Sequence, residues 1–166
     1  MPNNDEINTG NEIVALNDKE GRLAIRADIA MYEQEMKHHT GSERGNMDEI
    51  NEKGLSEYIT GGAYTRVLDI PAGQTIVSKL WNRERLWIII SGEVLIKTEQ
   101  GDLHIVAPHI MQPPFGSKAA IFAVTDVKWA AVTGIKTEDT SEAEAEVEVE
   151  EYTDLTYPWD LLENKT

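Results

Sequence analysis

Residues 73–92 read GQTIVSKLWNRERLWIIISG and set three cations, Lys79, Arg83 and Arg85, around two indoles, Trp81 and Trp87, at the start of an apolar run. Runs such as 86–90 normally lie inside a protein, where an unpaired charge is costly, so the first question is what those cations face. If the strand alternates, Lys79 and Trp81 share one face, and Arg85, Trp87 and Ile89 share one too. Two cations with two indoles can bind an anionic or aromatic small molecule. In that reading Arg85 is a fork for carboxylate or phosphate, and Trp81 or Trp87 is a stacking wall. The same residues also admit a purely structural reading. Arg85 would then pair with Glu84, Glu93 or another internal acid while the indoles fill a closed interior.

Other chemistry finds little support. The chain has no cysteine, which excludes disulfides and thiolate metal sites and fits a reducing compartment. It contains no glycine-rich phosphate loop and no Gly-x-Ser-x-Gly elbow. Pairs of acids are plentiful but sit outside the middle of the chain, where water should surround them and leave their protonation untuned. Of the four histidines, His38 and His39 fall at the end of a predicted helix. His104 and His109 lack a second ligand at a familiar spacing, so all four read as surface or hydrogen-bonded side chains. No catalytic residue stands out, and no cofactor is expected.

The elements that must carry the cations follow from periodicity. Ile25, Ile29, Tyr32 and Met36 recur at steps of four, three and four, which predicts an amphipathic helix over 22–38. From residue 64 the chain becomes a succession of short segments rich in Val, Ile, Thr and aromatic residues, broken by IPAG, WNRER, EQGD, APH, QPPFGS and VTD. Strands are expected at 64–70, 75–80, 86–90, 93–99, 103–107, 119–124 and 128–133. With no helix between them to build parallel crossovers, they predict a sandwich or small barrel. Leu86, Ile88 and Ile90 make the back of the 86–90 strand apolar as well. That face calls for cover from the helix or from a second copy of the barrel.

The net charge is −15, unevenly spread: residues 1–63 hold 13 acids against 6 bases, 64–135 hold 6 against 7, and 136–166 hold 11 against 2. A neutral middle with acidic ends has no basic stripe for nucleic acid, and its acids are not arranged on the body as a DNA mimic requires. No apolar stretch is long enough to cross a bilayer, and MPNNDEINTG has none of the features of a signal peptide, so a soluble, unexported protein is expected. Glu alternates with Ala or Val over 142–150. Like charges on one face repel, so this segment reads as a solvated tether. It ends in YPWDLLE, whose Tyr157, Trp159, Leu161 and Leu162 suit docking into a groove on this chain or on another.

Within the β region, GQTIVSKLWNRERLWIIISG keeps the spacing of the first cupin motif, with Gly73, Lys79, Trp81, Arg85 and Gly92 in its frame. The second motif resembles GDLHIVAPHIMQPPFGS, with Gly101, Pro108, Pro113 and Ser117 at or near its positions and one residue too many between Gly101 and Pro108. More narrowly, YTRVLDIPAG, APHIMQPPFGSKAA and VTDVKWAAVTG resemble small cupin-like proteins encoded by tailed bacteriophages, over residues 62–134. The resemblance implies a mainly β, double-stranded β-helix (jelly-roll) barrel, often a dimer, with a pocket at its mouth. Cupin metal ligands are imidazoles and a carboxylate. Here Lys79, Trp81, Arg85 and Pro113 stand in those places, none with a lone pair for a cation, so no metal is expected.

The expected organisation is a flexible arm over 1–20, a helical extension over 21–61, a barrel over 62–135 and an acidic tail over 136–166. The preferred reading is a non-catalytic, phage-encoded module for protein interaction or assembly, homo-oligomeric, located in the host cytoplasm or the virion. It would contact phage or host proteins and neither nucleic acid nor membrane. Two other readings stay open: a binder of an anionic or aromatic small molecule through Lys79, Trp81, Arg85 and Trp87, and a metal-independent enzyme.

Overall fold

The structure is a computed structural model that describes residues 19–40 and 54–156. Helix α1 spans Lys19–Thr40. Ten strands follow: β1 (Leu55–Thr60), β2 (Ala63–Ile70), β3 (Thr75–Val77), β4 (Leu80–Trp81), β5 (Leu86–Ser91), β6 (Glu93–Thr98), β7 (Gly101–Val106), β8 (His109–Met111), β9 (Ala119–Ala123) and β10 (Val127–Gly134). A second helix, α2 (Thr140–Val147), leads into strand β11 (Glu148–Val149) and a 3-10 turn at Tyr152–Asp154.

Most connections cross from one sheet to the other, while β1–β2 and β6–β7 are hairpins within a sheet. One antiparallel sheet has the order β1-β2-β10-β5-β8, and the facing one has β3-β9-β6-β7. The chain thus passes from β2 to β3, from β5 to β6, from β7 to β8 and from β9 to β10 between layers, which is the winding of a jelly roll. The fold is mainly β, a cupin-like double-stranded β-helix with an N-terminal helix. Its core lies between the sheets and includes Ile70, Ile76, Trp87, Ile89, Val94, Ile96, Ile121 and Trp129. The strands form because every second residue is β-branched or aromatic and points inward, as the alternating burial of β6 illustrates. Gly92 makes the β5–β6 turn possible. Its φ is +93°, and an added Cβ would lie 2.3 Å from the Asp126 carbonyl oxygen.

Four features depart from the sequence reading. Strand β1 lies in the segment read as a helical extension. Its inward row is Leu55, Glu57 and Ile59, and the charge in that row hides the alternation. The expected strand over 75–80 breaks after Val77 and resumes at Leu80. Strand β8, only three residues long, pairs with β5 although no strand was expected there.

The largest departure is at 138–151, which is not a tether. Asp139 caps α2 through a 2.9 Å bond from the Ser141 amide, and Ala and Glu favour the helix over a repulsive strand. Ala143 and Val147, one turn apart, are fully buried, and the Glu146 carboxylate accepts from the Lys136 and Thr137 amides. Strand β11 then pairs Glu148 with Trp81 and Val149 with Leu80.

Helix α1 covers the outer face of the four-stranded sheet rather than the apolar back of β5. Ile29 is buried there, beside a space of about 550 Å³ lined by Tyr32, Leu95, Leu103 and Phe122. Arg26 Nε lies 2.8 Å from Glu99 Oε2, and Lys118 donates to Glu33. The back of β5 stays open: Leu86 and Ile90 are 43% and 46% exposed.

If α2 belongs to the core, Val147→Ala removes two buried carbons and lowers stability by about 1–3 kcal/mol. Urea unfolding at pH 7 checks this; an unchanged midpoint would mean that the segment is not packed.

Candidate functional site

Strands β2, β3, β4, β5, β9 and β10 converge on a cavity of about 60 Å³. All four residues singled out from the sequence, Lys79, Trp81, Arg85 and Trp87, line it together with Arg66 and Trp129. That volume is several times the roughly 10–15 Å³ needed for one water. It falls well below the roughly 300–1,000 Å³ of pockets that enclose drug-sized ligands.

Arg85 sits between the indoles, its guanidinium carbon 5.2 Å from the ring centres of both Trp81 and Trp87. It is 6% exposed. Nη1 donates to the Lys79 carbonyl at 3.2 Å and Nη2 to the Ser117 carbonyl at 2.9 Å. Burial pulls its pKa down to about 10, and Glu148 partly restores it, so Arg85 remains a cation at neutral pH. Neither nearby acid pairs with it: Glu84 is exposed, and Glu93 instead accepts His104 at 2.6 Å. Two π faces and two carbonyls therefore solvate this charge in place of a carboxylate.

Two residues that the sequence did not single out complete the site. Arg66 lies on the inward row of β2 with Tyr64 and Leu68, and its Nη1 donates to Glu148 Oε1 at 2.5 Å. Its Nε is 3.8 Å from Glu57 Oε1, and the Tyr64 hydroxyl donates to that same oxygen. Tyr64 stacks on Trp81, with centroids 6.1 Å apart. Glu148 reaches Arg66 from β11, across 82 positions of sequence. Arg66 was readable from period-2 spacing with Tyr64 and Leu68. Glu148 gave no local signal, because pairing with β4 sets its position.

Burial raises the Glu148 pKa to about 7, and the hydrogen-bonded neighbour Glu144 adds to the rise. Arg66 and Lys79 pull the other way. A contact as short as that with Arg66 would by itself keep a carboxylate ionised, but desolvation and the second carboxyl outweigh it.

The resemblance to the cupin motifs would put metal ligands at the positions of Lys79, Trp81, Arg85 and Pro113, and the residues there do not fit a metal. The Arg85 guanidinium lies between the rings, and no side chain of that set offers a lone pair. Among the described residues no three His, Asp or Glu converge as a metal site. His109 sits in β8 opposite Ile89, away from His104. The docking residues Tyr157, Trp159, Leu161 and Leu162 lie outside the described residues.

The pKa shift of Glu148 fixes a pH dependence. Its folded value, about 7, lies above the ordinary 4.5, so its stabilising contribution is complete below 4.5 and is lost as pH rises through 7. Relative to Glu148→Gln, the wild type should lose up to ~3 kcal/mol of stability between those limits. Arg66, Lys79, Arg85, Glu144 and Tyr64 act on the group and are common to both proteins. Parallel stability curves for the two from pH 4.5 to 8 would refute it.

No protein-family model matches the chain, and no curated protein matches it. Among solved structures it is similar to an RmlC-like cupin family protein with a double-stranded β-helix fold from Methanocaldococcus jannaschii, at 19% identity and a TM-score of 0.42, covering 49% of this chain and 78% of that one. It is similar also to a conserved protein of unknown function from Streptococcus pyogenes, at 18% identity and TM-score 0.43, over 50% of this chain and 74% of that one. A putative ethanolamine utilization protein from Salmonella typhimurium gives 18% identity and TM-score 0.44, over 51% and 70%.

Proposed function

We propose that this protein is a non-catalytic cupin-like module for protein interaction or assembly, which works through its outer surface. The observation that carries this reading is the bare apolar back of the five-stranded sheet. Strand pairing aligns Ser56, Val67, Ala130, Ile88 and Ile110 in one row across that face, and Tyr58, Thr65, Val132 and Leu86 in the next. Ile110 is 64% exposed and Tyr58 58%. Exposed apolar side chains on one sheet face can pair with the same face of a second copy across a twofold axis, which supports a second copy as the first partner. The likeness of residues 62–134 to phage-encoded cupin-like proteins supports a role in a phage particle, with the host cytoplasm or the virion as its location.

A second reading, a binder of a small anion in the barrel, is favoured by three cations gathered around one cavity. The small volume of the cavity favours a ligand of a few heavy atoms.

Ile88→Lys combined with Ile110→Glu places charges on the central row without touching the core. The double variant should keep its fold by circular dichroism and fall to the monomer mass by light scattering. If the wild type is already monomeric at 100 μM, or the variant keeps the wild-type mass, this face does not self-associate.

A further inference from the structure

A second space lies outside the barrel, between α1 and the four-stranded sheet. Its volume of about 550 Å³ falls within the roughly 300–1,000 Å³ of sites that enclose drug-sized ligands. Strand register builds its floor. Thr75, Phe122, Leu95 and His104 form one outward row across β3, β9, β6 and β7, and Ala120, Lys97 and Asp102 form the next. Asp28, Ile29 and Tyr32 of α1 make the opposite wall. Two ion pairs anchor the helix on either side of Ile29: Arg26 with Glu99 one turn before it, and Glu33 with Lys118 one turn after. Ile29 alone is buried among the described side chains of α1, while Tyr32, Leu95 and Phe122 stay 40%, 45% and 38% exposed. The helix thus spans an apolar floor without filling the space above it, and an apolar ligand body there would take that surface out of water.

The polar groups of the cleft decide the head group of such a ligand. Lys97 Nζ lies 3.9 Å from Asp102 Oδ1 on the adjacent strand, and His104 Nε2 lies 2.6 Å from Glu93 Oε1. Asp28 makes no ion pair among the described residues. The cleft therefore carries one carboxylate more than its own lysine answers. An ammonium head would complete that count, whereas a carboxylate head would double the excess. Tyr32, one turn on from Asp28, adds an aromatic ring, which also attracts a cation.

We propose that this cleft binds an amphiphilic amine, an apolar body with a single ammonium head, and that Asp28 is the counterion of that head. The body lies on Leu95 and Phe122 against Ile29, and the head stays at the exposed Asp28. The site is separate from the cation-lined cavity. It rests neither on the small-anion reading nor on self-association through the other sheet.

Decylamine, decanol and decanoate share one chain and differ only in the head group. Each is titrated below its micellar range into the full-length protein at pH 7, with methyl and aromatic NMR shifts giving both site and affinity. Decylamine should shift Ile29, Leu95, Leu103 and Phe122 and leave Ile88 and Ile110 of the other sheet unmoved. It should bind about three- to fivefold more tightly than decanol, the range of an exposed ion pair, with decanoate weakest. Asp28→Asn should bring decylamine level with decanol. Asp69→Asn removes the same charge from β2 on the other sheet and should leave the preference intact. An unchanged preference in Asp28→Asn would overturn the role of Asp28. So would an equal loss in both variants, which would mean that the net charge of −15 draws the amine. Decanol or decanoate binding as tightly as decylamine would overturn the ligand class. Shifts confined to Ile88 and Ile110, or none with any of the probes, would overturn the site.

Discussion

A guanidinium enclosed by a β-barrel constrains everything around it, because removing that charge from water costs several kcal/mol unless the surroundings replace the lost hydration. Arg85 receives that replacement from the Trp81 and Trp87 faces and from the carbonyls of Lys79 and Ser117. Each of these requires a particular backbone course. The break between β3 and β4 turns the Lys79 carbonyl toward the cation, and the loop before β9 presents that of Ser117. Arg66, the second buried cation, has no indole in reach and takes a carboxylate instead. The nearest ones available are Glu57 on the neighbouring strand and Glu148 on β11. The demand of Arg66 for an anion thus makes residues 140–149 part of the folded domain.

The acidic arms take on a different meaning in this light. Part of their charge is structural: Glu33 accepts from Lys118, Glu57 and Glu148 lie against Arg66, and Glu146 accepts from the Lys136 and Thr137 amides. Glu99, at the end of β6 and 2% exposed, faces Arg26 of α1 and accepts the Tyr152 hydroxyl at 3.2 Å, while Arg26 lies 4.3 Å over the Tyr152 ring. One buried carboxylate therefore joins the N-terminal helix, the barrel and the C-terminal turn. Leu155 packs so closely on the loop before β9 that a Cβ on Gly116 would meet it at 2.6 Å. Exposed pairs such as Lys128 with Asp69 contribute little by comparison, about 0–1 kcal/mol each.

What the sequence made legible depended on how local each signal was. The barrel strands were readable because Val, Ile and Thr alternate within single segments, and the cluster of Lys79, Trp81, Arg85 and Trp87 was readable because it lies within nine residues. Strand β1 was not, since its inward row carries Glu57, a charge whose reason is Tyr64 and Arg66 on the next strand. Helix α2 was obscured by an alternation of Glu with Ala and Val that imitates a strand. Its helical face consists of only Ala143 and Val147. The partner of Arg85 was sought among the neighbours Glu84 and Glu93, because sequence proximity was the only guide, whereas the fold supplies carbonyls and rings. Of the two covers that the back of β5 calls for, the helix or a second copy, α1 lies on the other sheet.

Three cations, Arg66, Lys79 and Arg85, set the electrostatics of the cavity. A metal site gathers lone pairs and negative charge, while this one gathers donors and positive charge, which repel a cation. The whole chain, at −15, works against the approach of any anion. That long-range repulsion is screened over about 8 Å at physiological ionic strength, whereas the buried contacts among Arg66, Arg85 and Glu148 are screened far less. Glu148 is the acid that the fold sets against Arg66, and burial together with the neighbouring Glu144 keeps its carboxyl above the ordinary range despite that contact.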